Sequence, residues 1–466
     1  MQRALTISVA SIAMIAASPT AHAQQDDLSA DAMQDELSAM RATIAAMNDR
    51  IEALEAELAR TRQETPDATA LAVQSTDAPP AVPTPVAEKE EEELVTTIAW
   101  KGAPVLSHPD GWSFKPRGRL NFDAAYLSAP ESTGQDNGFS SEARRIRLGV
   151  DGSVPGGFGY KAEFDFAQSS VVTTDAYIDY SDGDLTVIAG QHNTFQSMEE
   201  LSSSLHTSFI ERAAFTDAFA FERRVGLSSQ YITKDWLIQA GVFTDNFEEL
   251  QDNKNAGGDL RVAYMPRIGS TQLHFGASAH YYDIENDGQI RYRQRPLEHP
   301  TDVRFIDTGN FSAESENGLG LEATAIMDRF HVAGEAFWQH VDRAGFADPT
   351  FFGGYAEVGY FLTPGDRRGY KKGVFDRIRP ANPVNEGGAG AWQVNLRYDY
   401  LDLTDADITG GQQNLYGLSL IWTPTDYTRF LLNYAYIEYD GSIYPTADGD
   451  TSYGVNSFGA RAQLDF

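Results

Sequence analysis

Apolar and charged side chains alternate along residues 141–191, and this pattern indicates the fold class: SEARRIRLGVDGSVPGGFGYKAEFDFAQSSVVTTDAYIDYSDGDLTVIAGQ. In the first part of this stretch Ile146, Leu148 and Val150 share one face of an extended chain, and charged residues occupy the other. Side chains of a β-strand point alternately to its two sides, so each such strand has an apolar and a charged face. The stretch therefore predicts four consecutive strands joined by short turns.

A charged face suits a barrel with a water-filled lumen and lipid outside, whereas the core of a soluble sandwich is apolar. The C-terminal residues alternate in the same way, with Phe458 and Leu464 on the apolar face and Arg461 on the polar one. We therefore predict an all-β fold, a 16-stranded antiparallel transmembrane β-barrel over residues 113–466, preceded by a short N-terminal α-helical coiled coil. The predicted strands start near Phe114, Ala143, Phe158, Val172, Leu185, Arg223, Trp236, Asp259, Thr271, Gly318, Arg329, Gly353, Gly390, Gln413, Tyr427 and Tyr453.

The connections between these strands fall into short turns and longer loops. Tight turns rich in Pro, Gly and Asp predict the periplasmic side, for example residues 155–157 and 423–426. Three connections are far too long for hairpins, namely 192–222, 283–317 and 363–389. Long ordered loops are usually functional, so we expect these three to fold into the lumen.

The N-terminal part predicts export and assembly. Residues 1–23 have the charged start, apolar centre and small-residue end of a signal peptide cleaved after Ala23. In residues 26–63 apolar side chains recur at alternating spacings of three and four, which indicates a coiled coil. A single amphipathic helix lying on the barrel is the alternative. Residues 64–112, rich in Pro and Glu, predict an extended periplasmic linker.

Composition excludes several classes of protein. The net charge of −31 argues against nucleic acid as a partner, and it is also unfavourable for an anion channel. The chain has no cysteine, which fits an oxidising envelope compartment. We predict that the chain is not an enzyme, because neither a serine nucleophile elbow nor an HExxH motif occurs. No cofactor or metal is expected.

Arginine clusters are the candidate functional residues. In an extended conformation Arg291, Arg293 and Arg295 project from one side, about 6.5–7 Å apart. Rows of arginine are one way in which a pore selects anions. The alternative is a solvated loop whose arginines pair with Asp287, Glu298 and Asp302.

A second group of arginines lies in the predicted wall and in the first long loop. Strand alternation places Arg145 and Arg147 in the lumen, whereas Arg144 would face lipid unless it lies at a strand end. Arg212, inside the first long connection, is expected to oppose Arg145, with Arg223 and Arg224 following it. Converging guanidinium groups could replace much of the hydration shell of a phosphate. The alternative is ordinary wall electrostatics, with each arginine offset by Glu142, Glu163 or Asp165.

Several motifs resemble the phosphate-selective porin family, the family of porins O and P. They include residues 142–147 (EARRIR), 209–212 (FIER), 354–363 (GYAEVGYFLT) and 390–398 (GAWQVNLRY). The resemblance implies a homotrimer whose pore is narrowed by the three long connections. It also implies that Arg291, Arg293 and Arg295 form a row leading inward, and that the coiled coil holds three chains together. Arg144, Arg145 and Arg212 would then lie at the narrowest site.

These observations together predict a homotrimeric outer-membrane porin, a passive channel that prefers small anions such as phosphate or polyphosphate. Its partners would be outer-membrane lipid and the permeating anions. The alternative is a general or weakly selective porin for small hydrophilic solutes that also tethers the envelope through its coiled coil.

Overall fold

The computed structural model describes residues 96–167, 169–248, 255–285 and 288–466. The predicted signal peptide and coiled coil lie outside the described residues, as does most of the predicted linker. No helix in the described ranges is long and apolar enough to cross a membrane.

A closed antiparallel barrel dominates the described part of the chain. Its main sheet contains nineteen strands, of which three short ones flank the wall and the other sixteen form it. The last wall strand pairs with the first, from Asn456 opposite Ser128 to Asp465 opposite Arg119, and this pairing closes the barrel. The wall strands are β1 (Ser113–Ser128), β2 (Gly138–Val154), β3 (Phe158–Asp165), β4 (Val172–Asp182), β5 (Leu185–Asn193), β6 (Arg223–Ile232), β7 (Trp236–Phe243), β8 (Ala256–Tyr264), β9 (Thr271–Asp283), β10 (Ser315–Met327), β11 (Phe330–Asp342), β12 (Thr350–Phe361), β13 (Ala391–Asp405), β14 (Ile408–Thr425), β15 (Thr428–Asp440) and β16 (Tyr453–Asp465).

The predicted strand number and order are confirmed. The largest differences lie at the loop ends of strands, where β2 begins at Gly138 rather than near Ala143 and β14 begins at Ile408 rather than near Gln413. Backbone pairing extends these strands beyond the residues that alternate, as the pairing of Gly138 with Leu127 illustrates. Alternation of side chains therefore identified the wall, but it did not identify the strand ends.

The alternating faces are those that the sequence predicts. In β16, Phe458 and Leu464 are 47% and 42% exposed on the outside, whereas Ser457 and Arg461 are buried inside. Exposed apolar side chains cover the outer surface of other strands in the same way, for example Leu148 and Leu227. This outer surface matches the apolar band of an outer-membrane barrel.

Three long connections fold into the lumen, as predicted, and we call them loop A (194–222), loop B (284–314) and loop C (362–390). Loop A contains two short helices, α1 (Met198–Leu201) and α2 (Ala214–Ala218). Two further turns, Glu131–Thr133 and Val384–Glu386, are 3-10 helices. Short strand pairs stiffen loop B, Gln289–Ile290 with Phe311–Ser312 and Arg293–Gln294 with Ile306–Asp307, and loop C, Gly369–Lys371 with Val374–Asp376.

Much of the barrel interior is an apolar core formed between the loops and the wall. Phe209, Phe215 and Phe305 of the loops are fully buried, and they belong to one cluster with wall residues such as Phe351 and Leu401. Loop C reaches loop A, because the Phe375 N–H donates to the Ser202 hydroxyl over 3.1 Å. The part of the lumen that stays open and polar therefore lies on the side of the barrel formed by β1–β6.

A hairpin precedes the barrel, in the segment that the sequence predicts to be linker. Its strands, Thr97–Trp100 and Pro104–Ser107, pair with each other, and Ser107 then pairs with Ser113 of β1. A Cβ atom on Gly102, which has φ +83°, would lie 2.5 Å from the Tyr427 ring, so the hairpin turn lies directly against the wall. Another short strand, Arg267–Ile268, continues the hairpin of β8 and β9.

Candidate functional site

Two polar cavities meet at a cluster of four arginines. The loop-side cavity, of about 480 Å³, lies under loops A and B, and the turn-side cavity, of about 290 Å³, opens towards the short turns. The residues that line both cavities are Arg145, Arg147, Arg212 and Arg223. We call these four residues the arginine gate, because a solute that passes from one cavity to the other has to pass their side chains.

Arg144 lies inside the barrel, although strict alternation would turn it towards lipid. The pairing of β1 with β2 shifts by one residue here, since Asn121 faces Arg145 and Phe122 faces Ala143. The resulting β-bulge leaves Arg144 without a partner in the ladder and redirects its side chain. Its Nε donates to Glu211 Oε1 over 2.9 Å, and Arg144 lines the loop-side cavity. The expectation from alternation is corrected by this bulge.

Arg145 is the least compensated member of the gate. It is only 4% exposed, and its nearest acidic atom is Glu211 Oε2, 3.8 Å from Nη2. Its Nε and Nη1 atoms have no hydrogen-bond partner among the described residues. A buried guanidinium with unused donors is costly unless an acceptor reaches it.

The other gate arginines are oriented by fixed partners. Arg147 Nε donates to Asp165 over 2.7 Å, and Arg223 Nε donates to Asp175 over 3.0 Å. Arg212 is held by its own loop, since its Nε donates to the Glu199 carbonyl over 2.9 Å. Compensation by acids was the alternative interpretation. It describes Arg147, whose partners are Asp165 and Glu163, better than Arg145, whose ion pair with Glu211 is 3.8 Å long.

Glu211 of loop A joins three arginines at the edge of the gate. Its carboxylate accepts from Arg144 and Arg461, over 2.9 Å in each case, and it lies near Arg145. Burial alone would raise the pKa of Glu211, but these guanidinium groups hold the pKa well below its usual range. Glu211 is therefore ionised, and it fixes Arg144 while leaving Arg145 largely free.

The row of Arg291, Arg293 and Arg295 is present in loop B, with Tyr292 and Gln294 buried on its opposite side. The three arginines differ in their partners and in their exposure. Arg291 forms a double hydrogen bond with Asp307, over 2.7 and 2.5 Å, so its donors are largely occupied. Arg293 is exposed. Arg295 lines the loop-side cavity, and it also contacts Asp302 at 3.4 Å.

Arg224 lies apart from the gate. Its guanidinium stacks on the Tyr282 ring at 3.6 Å from the centroid, and it contacts Glu222 at 3.1 Å. These contacts order the loop end of β6. Arg224 does not line either of the two cavities. The structure thus separates Arg224 from its neighbour Arg223.

The sequence analysis missed cationic residues below the gate. Arg117, Arg119 and Lys161 line the turn-side cavity, and Arg119 Nη1 donates to Ser204 of loop A over 2.8 Å. The alternation that identified Arg145 could also have identified the arginines of β1, because Arg117 and Arg119 share the inward face of that strand with Asn121. Cationic groups therefore continue from the gate towards the turns.

This arrangement lines two adjoining cavities with cationic side chains, and it has the architecture of a channel. A closed sixteen-stranded wall with an apolar outer face, a polar inner face and inward-folded loops defines an outer-membrane porin. The sequence profile of the family called phosphate-selective porin O and P matches residues 114–466, and the chain belongs to this family. The expected family is thereby confirmed, and with it the location in the outer membrane.

Other proteins are similar to this chain in sequence or in fold. An uncharacterised protein of Caulobacter vibrioides is 41% identical over 489 aligned residues, which cover 100% of this chain and 97% of that protein. OmpT, an outer membrane protein of Vibrio cholerae, is similar in fold, with a TM-score of 0.50 and 13% identity over 78% of this chain and 99% of OmpT. An anion-selective porin from Comamonas acidovorans gives a TM-score of 0.49 and 14% identity, over 76% of this chain and 100% of that chain.

Proposed function

We propose that the porin is a passive, anion-preferring diffusion channel whose selective site is the arginine gate. One observation carries the proposal: Arg145 is buried between the two cavities with Nε and Nη1 unpaired. An anion arriving in either cavity adds the negative charge that this buried guanidinium lacks. Charge-assisted hydrogen bonds between a guanidinium and an anion are roughly twice as strong as neutral ones.

Phosphate or polyphosphate is the solute class that we propose within this function. A tetrahedral oxyanion offers several acceptor oxygens, and gate arginines approach from β2, from loop A and from β6. Arg295 and Arg144 extend the cationic surface on the loop side, and Arg119 and Lys161 extend it on the turn side. Local charge in a narrow, low-dielectric passage outweighs the negative net charge of the chain.

The proposed assembly is a homotrimer of exported chains, joined on the periplasmic side by a coiled coil over residues 26–63. The support for it is the unbroken spacing of apolar residues in that segment and the family to which the chain belongs. Light scattering of the purified protein in detergent is expected to give the mass of three chains. A monomeric mass would contradict the proposal.

The function is tested in a planar bilayer. Under a chloride gradient the wild-type channel is expected to give a reversal potential of anionic sign, and added phosphate is expected to block the chloride current. Arg145→Ala removes the guanidinium group from the gate, so half-block is expected to need at least about tenfold more phosphate, since one charge-assisted hydrogen bond is worth about 1.5–3 kcal/mol.

The matched control is Arg267→Ala, which removes an exposed arginine from the turn between β8 and β9. It is expected to leave both the reversal potential and the block unchanged. A cationic reversal potential without block in the wild type would instead favour the general porin, in which the acidic residues dominate.

A further inference from the structure

Glu298 of loop B is a carboxyl group without a partner in the interior of the barrel. It is only 1% exposed, and neither of its two oxygens has a hydrogen-bond partner among the described residues. The group lies flat against Gly459 of β16, where an added Cβ atom would lie 2.3 Å from each carboxyl oxygen. The absence of a side chain on Gly459 thus creates the space that Glu298 fills.

The charges around Glu298 disfavour its ionised form. Asp123 of β1 and Glu211 of loop A are its acidic neighbours, and Arg461 of β16 is the cation that faces it. All of the guanidinium nitrogens of Arg461 are already used, by Asp123 at 2.7 and 2.6 Å, by the Ile210 carbonyl at 2.6 Å and by Glu211 at 2.9 Å. Four of the five N–H groups of Arg461 are therefore used by other partners, and Arg461 makes no hydrogen bond to Glu298.

The residues next to Glu298 in the chain do not stabilise its ionised carboxylate either. His299 Nδ1 is hydrogen-bonded to Glu142 of β2 at 2.7 Å, and Leu297 is an apolar residue in the left-handed region, with φ +66°. Arg144, on the neighbouring bulge of β2, is committed to Glu211. The charged groups of β1, β2, β16, loop A and loop B named here thus have other partners, and none of them is hydrogen-bonded to Glu298.

We propose that Glu298 is a proton-operated latch: its carboxyl fits the closed space beside Gly459 of β16 only when it is neutral, and its ionisation releases loop B. The residues next to it form part of the roof of the loop-side cavity, namely Arg295, Leu297 and His299. Release of the latch would therefore move the roof and withdraw Arg295 from the approach to the gate. A latch of this kind would regulate the proposed channel. It rests on the proposed function only for the effect of loop release on the ion current.

Burial of the Glu298 carboxyl determines whether the latched state becomes weaker or stronger as pH rises. Desolvation, reinforced by Asp123 and Glu211, raises the pKa of Glu298 to about 8. A released loop would expose the carboxyl, whose pKa would then be about 4.3. Between these two values the latched state holds a proton that the released state lacks, so latching weakens by up to about tenfold for each unit of pH increase. Below about pH 4 and above about pH 8 this group contributes no further pH dependence.

The protonation state is tested by infrared spectroscopy of the full-length protein in lipid. The difference spectrum between wild type and Glu298→Gln is expected to contain the C=O band of a protonated carboxyl, which disappears as pH rises through about 8. Glu314→Gln removes an exposed acid of the same loop and is the matched control, expected to leave that band in place. A difference spectrum without the band at pH 6 would overturn the proposal.

The latch itself is tested by hydrogen exchange of the amides of residues 295–304. After correction for intrinsic exchange, wild-type protection is expected to fall by up to about tenfold per unit between pH 5 and pH 8, and to be independent of pH in Glu298→Gln. Gly459→Ala fills the space of the carboxyl, so fast exchange is expected already at pH 6. If protection of wild-type loop B does not change with pH, the latch does not exist, whether or not the variants fold.

These readouts separate the two proposals. Infrared and exchange measurements do not depend on which ion the channel passes, so a channel without anion preference could still contain the latch. Conversely, a flat exchange profile together with phosphate block would reject the latch and leave the proposed function intact. Where both hold, the phosphate block is expected to weaken as pH rises towards 8 in the wild type but not in Glu298→Gln.

Discussion

At the scale of single residues, the hydrogen-bond partners of an arginine determine its role. Arg291 and Arg145 have the same side chain, but Arg291 donates twice to Asp307, whereas Arg145 keeps two nitrogens unpaired. Strand alternation predicted that Arg145 and Arg147 point inward. It could not predict that Arg144 does so too, because one extra residue in a strand reverses the alternation locally.

Removing the acid beside the gate is expected to strengthen anion binding. Glu211→Gln keeps the size of the side chain but removes a negative charge 3.8 Å from Arg145. The lost repulsion towards a bound anion is on the order of 1–2 kcal/mol after screening, so half-block is expected at roughly tenfold lower phosphate concentration. The measurement is the phosphate titration of single-channel chloride current.

Asp217→Asn is the control for this change, because Asp217 is an exposed residue that also lines the loop-side cavity. It is expected to shift the titration only slightly. A weaker block in Glu211→Gln would mean that Glu211 chiefly orients the gate arginines, and the model of simple charge compensation would then be wrong.

At the scale of elements, loop A is held in the lumen by carboxylates of the wall. Glu335 of β11 accepts from the Ser197 hydroxyl and from the N–H groups of Met198 and Glu199, over 2.7, 3.0 and 2.7 Å. Asp399 of β13 accepts from the Ala214 N–H over 2.9 Å. These contacts hold the two short helices in place, so the position of Arg212 depends on strands on the far side of the barrel.

Loss of the Glu335 contacts is expected to loosen α1. Glu335→Ala leaves three buried donors of loop A without their acceptor, at a cost of about 2 kcal/mol or more in local opening free energy. Amide exchange over residues 197–202 is then expected to accelerate roughly thirtyfold, as measured by mass spectrometry. Asp182→Ala, at an exposed wall carboxylate near a turn, serves as the control. Unchanged exchange in Glu335→Ala would show that apolar packing alone holds the loop.

At the scale of the whole molecule, the passage occupies one side of the barrel. The interior next to β10–β16 is filled by the apolar core, whereas β1–β6 face the two cavities. A sixteen-stranded wall by itself would enclose a wide aqueous channel. The folded loops therefore confine solute to a path along the basic side of the wall.

The absence of native cysteine allows this path to be mapped with single cysteines. Thr173→Cys lies on the loop-side cavity and Tyr177→Cys on the turn-side cavity, so both are expected to react quickly with a small anionic thiol reagent. Ser419→Cys points inward but is fully buried under loop A, and its labelling is expected to be on the order of a hundredfold slower. The mass of the labelled protein gives the rates.

Labelling of Ser419→Cys at a rate similar to that of Thr173→Cys would show that the lumen is open on that side. The path along β1–β6 would then not be the only one through the described part of the barrel.

The amino-acid sequence was enough to predict the barrel, its sixteen strands, the long inward loops and the inward direction of Arg145 and Arg147. These properties follow from period-two alternation and from connection length, which are local. The folded chain was needed to show which arginines meet at the gate, and that Arg224 and Arg291 do not belong to it. It was also needed to show that Glu298 lies without a partner against Gly459. Such placements depend on contacts between residues far apart in the chain, and the period of one strand contains no information about the loop that folds onto it.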